Sequence, residues 1–302
     1  MQNKTKLGQQ WAVASVALQD AYTDFILSRQ AMMCTPGTIR FYNYTAGRFV
    51  HWGEQNGDVE PSEISARYIR AYLSTLVEGD HSDSYINGHA RAIKTFVKFL
   101  CEEEYLDKEP KFQMPSIAKK RLSVLTGTEL RKVLGVCETN RDMTLVMLMV
   151  DTGLRRAELC DLNWEDIDLS SGLIRIRKGK GGKARSVVIG VKTRRALLKY
   201  RRGVDSSGQA PAIQTLHGSR LTHSGLRSAL LRISDRAGVR ITPHTLRRTF
   251  ATLSLRAGMS PLHLQGLLGH SSLEMTNHYV QMLEGDLHSA HKEFGPIDNN
   301  ID

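Results

Sequence analysis

Apolar residues recur at helical spacing through almost the whole of the first hundred positions. Leu18, Tyr22, Phe25 and Ile26 mark one face of a helix over 18–33, and Thr35, Pro36 and Gly37 interrupt it. A second helix begins near Thr38, turns Phe41, Tyr42, Phe49 and Trp52 inward, and ends near Gly57. Ser62 is a candidate cap for a third, which carries Ile64, Tyr68, Ile69, Tyr72 and Leu73 and stops at Gly79. The fourth starts near Ser82 or Ser84, presents Ile86, Ala92, Ile93, Phe96, Phe99 and Leu100, and gives way to Glu102, Glu103 and Glu104. Period-two alternation is missing here, so the stretch predicts a bundle of four amphipathic helices.

The pattern then changes. Residues 107–124 contain Pro110 and Pro115, few large apolar side chains, and a basic end at Lys119, Lys120 and Arg121. This reads as an extended linker between a helical domain over 1–106 and a second domain over 125–302. Thr126 and Glu129 have the spacing of a capping box, and a helix over 141–152 is closed by Gly153. Strand signals occur in one place. Residues 173–177 alternate apolar and basic, 178–183 form a Gly-rich turn, 186–189 return, and 164–169 supply a candidate third strand. Helical spacing resumes over 191–202, 223–237, 244–257, 260–268 and 272–282. The predicted fold is mainly α with a small antiparallel β-sheet.

Charge divides the chain in the same place. Of 302 residues, 41 are Lys or Arg and 31 Asp or Glu, a formal net charge of +10. Residues 1–118 hold 12 basic against 14 acidic side chains, and residues 119–302 hold 29 against 17. The second part thus carries all of the excess, which points to a polyanion such as nucleic acid. Cys34, Cys101, Cys137 and Cys160 lie far apart with no CxxC pair, as expected of reduced thiols. The N-terminus lacks the unbroken apolar core of a signal peptide, and the longest markedly apolar run, Leu145 to Val150, is far too short for a bilayer. A cytoplasmic protein without membrane contact is expected.

Four segments of the second part carry candidate chemistry. TGLRRAEL (152–159) places Arg155 at a helix start, with Glu158 one turn on to orient it. RIRKGKGGKAR (175–185) is a hairpin whose Lys178, Lys180, Lys183 and Arg185 point into one small volume, where a Lys beside a phosphate can donate a proton to a leaving oxygen. In TPHTLRRTF (242–250), His244 and Arg247 share a helix face and form a fork of donors. In LLGHSSLEMTNHY (267–279), His270 precedes a short helix opened by Ser271 and Glu274, with Tyr279 near its far end. Each segment alone also fits a bland description: a surface Arg–Glu pair, a solvated basic turn, a helix-surface pair, a packing tyrosine. HExxH, Walker A, GxGxxG and GxSxG are all absent, so neither metal nor nucleotide cofactor is expected.

Taken in this order, the four segments resemble the catalytic signature of the tyrosine recombinases, the phage integrase family, in its compact Xer-like or transposon-integrase form. The resemblance covers nearly the whole chain and implies an N-terminal helical domain that clamps DNA and a C-terminal catalytic domain. It implies that Tyr279 attacks a scissile phosphate while Arg155 and Arg247 hold its non-bridging oxygens. His244 and His270 would complete the hydrogen bonding, and Lys180 would protonate the departing 5′ oxygen. Lys180 is favoured over Lys178 and Lys183 because KGGKAR (180–185) matches the family's hairpin turn. One departure is Arg248, where many relatives have His. The family's properties further imply double-stranded DNA as partner, a tetrameric synapse, a possible second recombinase or accessory protein, and a C-terminal segment over 286–296 that docks on a neighbour. Two rivals stay open: a type IB topoisomerase-like enzyme with the same tyrosyl chemistry, and a non-catalytic DNA-binding regulator.

Overall fold

The computed structural model describes residues 17–57, 60–117, 123–177, 184–269 and Thr276. The chain divides into two compact units, residues 1–120 and 121–302. The first holds helices α1 (Leu18–Ala31), α2 (Pro36–Gln55), α3 (Ala66–Glu78) and α4 (Asp83–Glu102). Capping residues decide where three of these begin. The hydroxyls of Thr35, Ser65 and Ser82 accept hydrogen bonds from the amides of Thr38, Tyr68 and Tyr85. The expected cap Ser62 lies instead in a short 3-10 turn, Pro61–Glu63. There the Glu60 amide donates to the Glu63 carboxylate, Ile64 is extended, and the helix proper starts one turn later. The bundle closes over wholly buried Phe25, Phe49, Phe96, Ile69, Ile93 and Leu100. Beyond it, turns and bends over 103–108 lead into residues 109–117, which form neither helix nor strand. Phe112 and Met114 pack on the bundle's core, and the Asn87 amide side chain donates to the Pro115 carbonyl at 2.8 Å.

The second unit contains α5 (Gly127–Gly135), α6 (Asn140–Thr152), α7 (Arg156–Asp161), β1 (Ile167–Asp168), β2 (Leu173–Ile176), β3 (Arg185–Val188), α8 (Val191–Arg201), α9 (His223–Ala237), α10 (Pro243–Arg256) and α11 (Pro261–Leu268). The strands form one antiparallel sheet in the order β1-β2-β3, with Arg175 opposite Ser186 and Ile176 opposite Arg185. The mainly helical fold with a small antiparallel sheet is the one the periodicity predicts. The third strand is shorter than expected. Trp164–Asp166 is a 3-10 turn, because the Asp166 carboxylate accepts the Asn163 amide at 3.0 Å, and only Ile167 and Asp168 pair.

Helix α6 is the axle of this unit, with Leu145, Leu148 and Met149 fully buried as it packs on α8 and α10. At residue 126 the expected capping box forms, Thr126 and Glu129 exchanging both amide bonds. The chain just before it is fixed on α10, where Thr249 accepts the Leu125 amide at 3.0 Å. All four cysteines are free. Among the described residues no helix is long and apolar enough to cross a membrane.

Candidate active site

Three turns of chain meet at the end of α6. Gly153 ends that helix with φ +60°, and a Cβ there would lie 2.5 Å from the Phe250 ring and 2.8 Å from Leu268. Only glycine combines that left-handed backbone with so little space. Gly153→Ala is therefore expected to cost about 1–3 kcal/mol of stability. Urea denaturation reads this directly, and an unchanged midpoint would contradict it.

Immediately after the turn, Arg155 caps α7. Its amide donates to Glu158 Oε2 at 2.8 Å. The guanidinium donates from Nη1 to Glu158 Oε1 at 2.9 Å and from Nη2 to the Gly269 carbonyl at 2.9 Å. A guanidinium carries five N–H donors, so these two bonds orient Arg155 and leave donors for a ligand.

Arg247 comes from α10. Only 6% exposed, it donates from Nη1 to the Gly153 carbonyl at 2.5 Å and from Nη2 to the Leu268 carbonyl at 2.8 Å. The two arginines thus grip consecutive carbonyls of the turn that ends α11. Gly269, at φ +61°, supplies the left-handed residue this turn requires. His244 sits one helical turn before Arg247 on the exposed rim of α10. Partial desolvation, then the charges of Arg248, Arg247 and Arg156, lower its pKa below the ordinary 6.5. Lys180, His270 and Tyr279 lie outside the described residues, as do Lys178, Lys183, the segment 286–296 and, apart from the helical Thr276, the helix expected over 272–282.

The hairpin reading needs one correction. Arg185 is not a free cation of the hairpin. It turns inward, donating from Nη1 and Nη2 to the two oxygens of Glu158 and from Nε to the Leu267 carbonyl, all at 2.7 Å. Period-two alternation holds the signal, since Arg185 lies two residues before buried Val187 and so on the inward face of β3. Burial alone would raise the Glu158 pKa. The bonds from Arg185, followed by the Arg155 amide and side chain, outweigh it and hold the carboxyl at about 2.

A carboxylate depressed from its ordinary 4.5 stabilises the fold fully above pH 4.5, and that contribution is lost as pH falls through its folded value. On the order of 3 kcal/mol is at stake. Denaturation between pH 5 and pH 2.5 is expected to lose stability more steeply in the wild type than in Glu158→Gln; parallel curves would contradict this.

Two clustered guanidinium groups, one of them oriented by a shared carboxylate, with an imidazole beside them, suit an anion whose charge grows during reaction. Among the described residues, no group of three or more His, Cys, Asp or Glu is placed to hold a metal ion.

Residues 123–285 match the model of the phage integrase family. The chain is similar to the tyrosine recombinase XerA of Thermococcus onnurineus, at 30% identity over 89% of this chain and 93% of the relative. In fold it is similar to the Tn1549 transposon integrase in complex with circular intermediate DNA, with TM-score 0.73, 22% identity, and coverage of 88% of this chain and 95% of that one. It also resembles a chain of a lambda integrase tetramer bound to a Holliday junction, with TM-score 0.72, 18% identity, and coverage of 88% and 78%. The family match and the near full-length similarity to XerA carry the same conclusion as the four ordered motifs: the chain belongs to the phage integrase family, the tyrosine recombinases.

Proposed function

We propose that this recombinase cleaves and rejoins duplex DNA at specific sites through a 3′-phosphotyrosine intermediate. The phenol of Tyr279 gives its proton to a nearby base as its oxygen attacks the scissile phosphorus, and the bond to the 5′ oxygen breaks. Arg155 and Arg247 hold the non-bridging oxygens, with His244 and His270 completing their hydrogen bonds. Lys180 gives its proton to the leaving 5′ oxygen, and a 5′ hydroxyl from another strand later reverses the step. The observation that carries this reading is the convergence of Arg155 and Arg247 on the Leu268–Gly269 turn, directly before His270.

The chemistry supports it independently. Attack on a phosphodiester gathers negative charge on the oxygens, so fixed guanidinium groups stabilise the transition state more than the ground state. The tyrosyl ester conserves the energy of the broken bond, so rejoining needs no nucleotide hydrolysis. In the same reading, residues 1–106 and the basic second domain hold the duplex mainly through phosphates, which makes binding salt-sensitive. Four protomers form the synapse, as in the lambda integrase tetramer on its junction, with the 286–296 segment docking on a neighbour. A partner recombinase or accessory protein is a further candidate component.

The test is strand exchange between two DNA molecules carrying the chain's own cleavage site. Exchanged products are expected; relaxation of supercoils with no exchange would favour the topoisomerase-like alternative. A second measurement addresses Lys180. Lys180→Ala is expected to slow cleavage about 100-fold or more on a normal phosphodiester. Cleavage should recover when sulfur replaces the 5′ bridging oxygen, because a thiolate leaves without a proton donor. Without that recovery, Lys180 is not the acid.

A further inference from the structure

Glu158 sits between two guanidinium groups, and its bonds to them are unequal. Its side chain is only 2% exposed. Arg185 takes both carboxylate oxygens in a two-pronged pair, whereas the Arg155 side chain reaches one of them. Bidentate pairing of this kind is stronger and more closely oriented than a single charge-assisted hydrogen bond. Arg185 also bonds the Leu267 carbonyl, and its side chain lies so close to Gly269 that a Cβ there would meet Arg185 Cδ at 3.0 Å. One side chain therefore joins three pieces of chain. It belongs to the hairpin that bears Lys180, it holds the carboxylate that orients Arg155, and it braces the turn that leads into His270.

Charge gives this arrangement a consequence beyond bracing. Arg155 and Glu158 alone make a neutral pair, in which the carboxylate competes with any phosphate for the guanidinium. With Arg185 present the trio carries +1, and Glu158 is already satisfied. A buried carboxylate stripped of its main partner would claim Arg155 more fully, since an unpaired buried charge is costly.

We infer that Arg185 is a positioning residue of the recombination centre, neutralising Glu158 so that Arg155 keeps its charge for the scissile phosphate and tying the Lys180 hairpin to the 267–269 turn. The inference rests on the assignment of Arg155 to that phosphate.

Single-turnover formation of the covalent adduct by the full chain on a nicked suicide duplex tests it, with DNA affinity and thermal unfolding measured beside it. Arg185→Gln is expected to slow adduct formation about 100-fold, the scale of losing one oriented transition-state donor. Affinity should stay within about threefold, because most binding comes from other phosphate contacts. The decisive comparison adds Glu158→Gln to Arg185→Gln. Removing the competing charge is expected to speed adduct formation about tenfold over Arg185→Gln alone, the reverse of what losing a second bracing group would do. If Arg185→Gln fails to fold, Arg185→Met, which removes the charge and keeps an unbranched side chain, carries the same comparison with and without Glu158→Gln. A folded Arg185→Gln protein cleaving at the wild-type rate overturns the inference, as does a double variant no faster than the single one. Arg155→Gln separates the two levels. Wild-type cleavage by Arg155→Gln would remove the underlying assignment, whereas its loss beside a fully active Arg185→Gln would remove only the role given to Arg185.

Discussion

Tyr279→Phe is expected to bind its DNA site as the wild type does and to form no covalent adduct on a nicked suicide duplex. The substitution deletes one oxygen and leaves the ring, so any packing of the aromatic side chain is preserved while the attacking atom is gone. A phenol has an ordinary pKa near 10 and works as a nucleophile only where a base or a cationic field assists it, and that assistance is specific to one position. Removing a nucleophile of this kind costs on the order of 10⁴-fold or more in rate. Denaturing electrophoresis of the protein–DNA product reads the outcome. An adduct from the Phe variant at the wild-type level would move the nucleophile to another residue. Mixing Tyr279→Phe with an Arg247 variant adds a second reading: adduct formed only in the mixture would mean that the tyrosine acts on a phosphate held by a neighbouring protomer.

Arg247→Gln is the second large effect, and it acts on two levels. In catalysis it removes a fixed charge from the transition state, and roughly a 10²–10³-fold loss of cleavage rate is expected. In folding it releases the Gly153 and Leu268 carbonyls, both held by this buried guanidinium, and about 1–3 kcal/mol of stability should go with them. Arg247→Lys is expected to restore little. Lys presents one compact charge, whereas the site uses a planar fork to bond two carbonyls from different turns. Chemical denaturation measured beside single-turnover cleavage separates the two levels. An Arg247→Gln protein of unaltered stability would contradict the structural role, and one of unaltered rate would contradict the catalytic role.

How much of this was readable beforehand depended on the range of the forces involved. Helix phase, the Thr126–Glu129 box and the stop at Gly153 are settled within a few residues, and sequence spacing locates them to within a residue or two. The misplaced cap at Ser62 and the overlong strand at 164–169 are failures of the same local reasoning. In both, a carboxylate, Glu63 or Asp166, closes a short 3-10 turn by accepting the amide three residues before it, that of Glu60 or Asn163. Arg155, His244 and Arg247 stand out in the sequence because family-like motifs surround them. The partner of Arg185 does not: alternation with Val187 turns the side chain inward, but the carboxylate it meets lies 27 residues away in the chain and nothing local names it.

The amino-acid order is enough to establish a helical first domain, a basic second domain with a small sheet, and the four ordered motifs of a tyrosine recombinase, since periodicity, capping and motif order are all written along the chain. Folding alone decides that Glu158 is shared by two arginines, one of them 27 residues away, and that Arg155 and Arg247 close on one turn across 114 and 21 residues. The physical reason is that an ion pair depends on distance in space and on exclusion of water, and both arise only when α7, β3, α10 and the end of α11 are packed together.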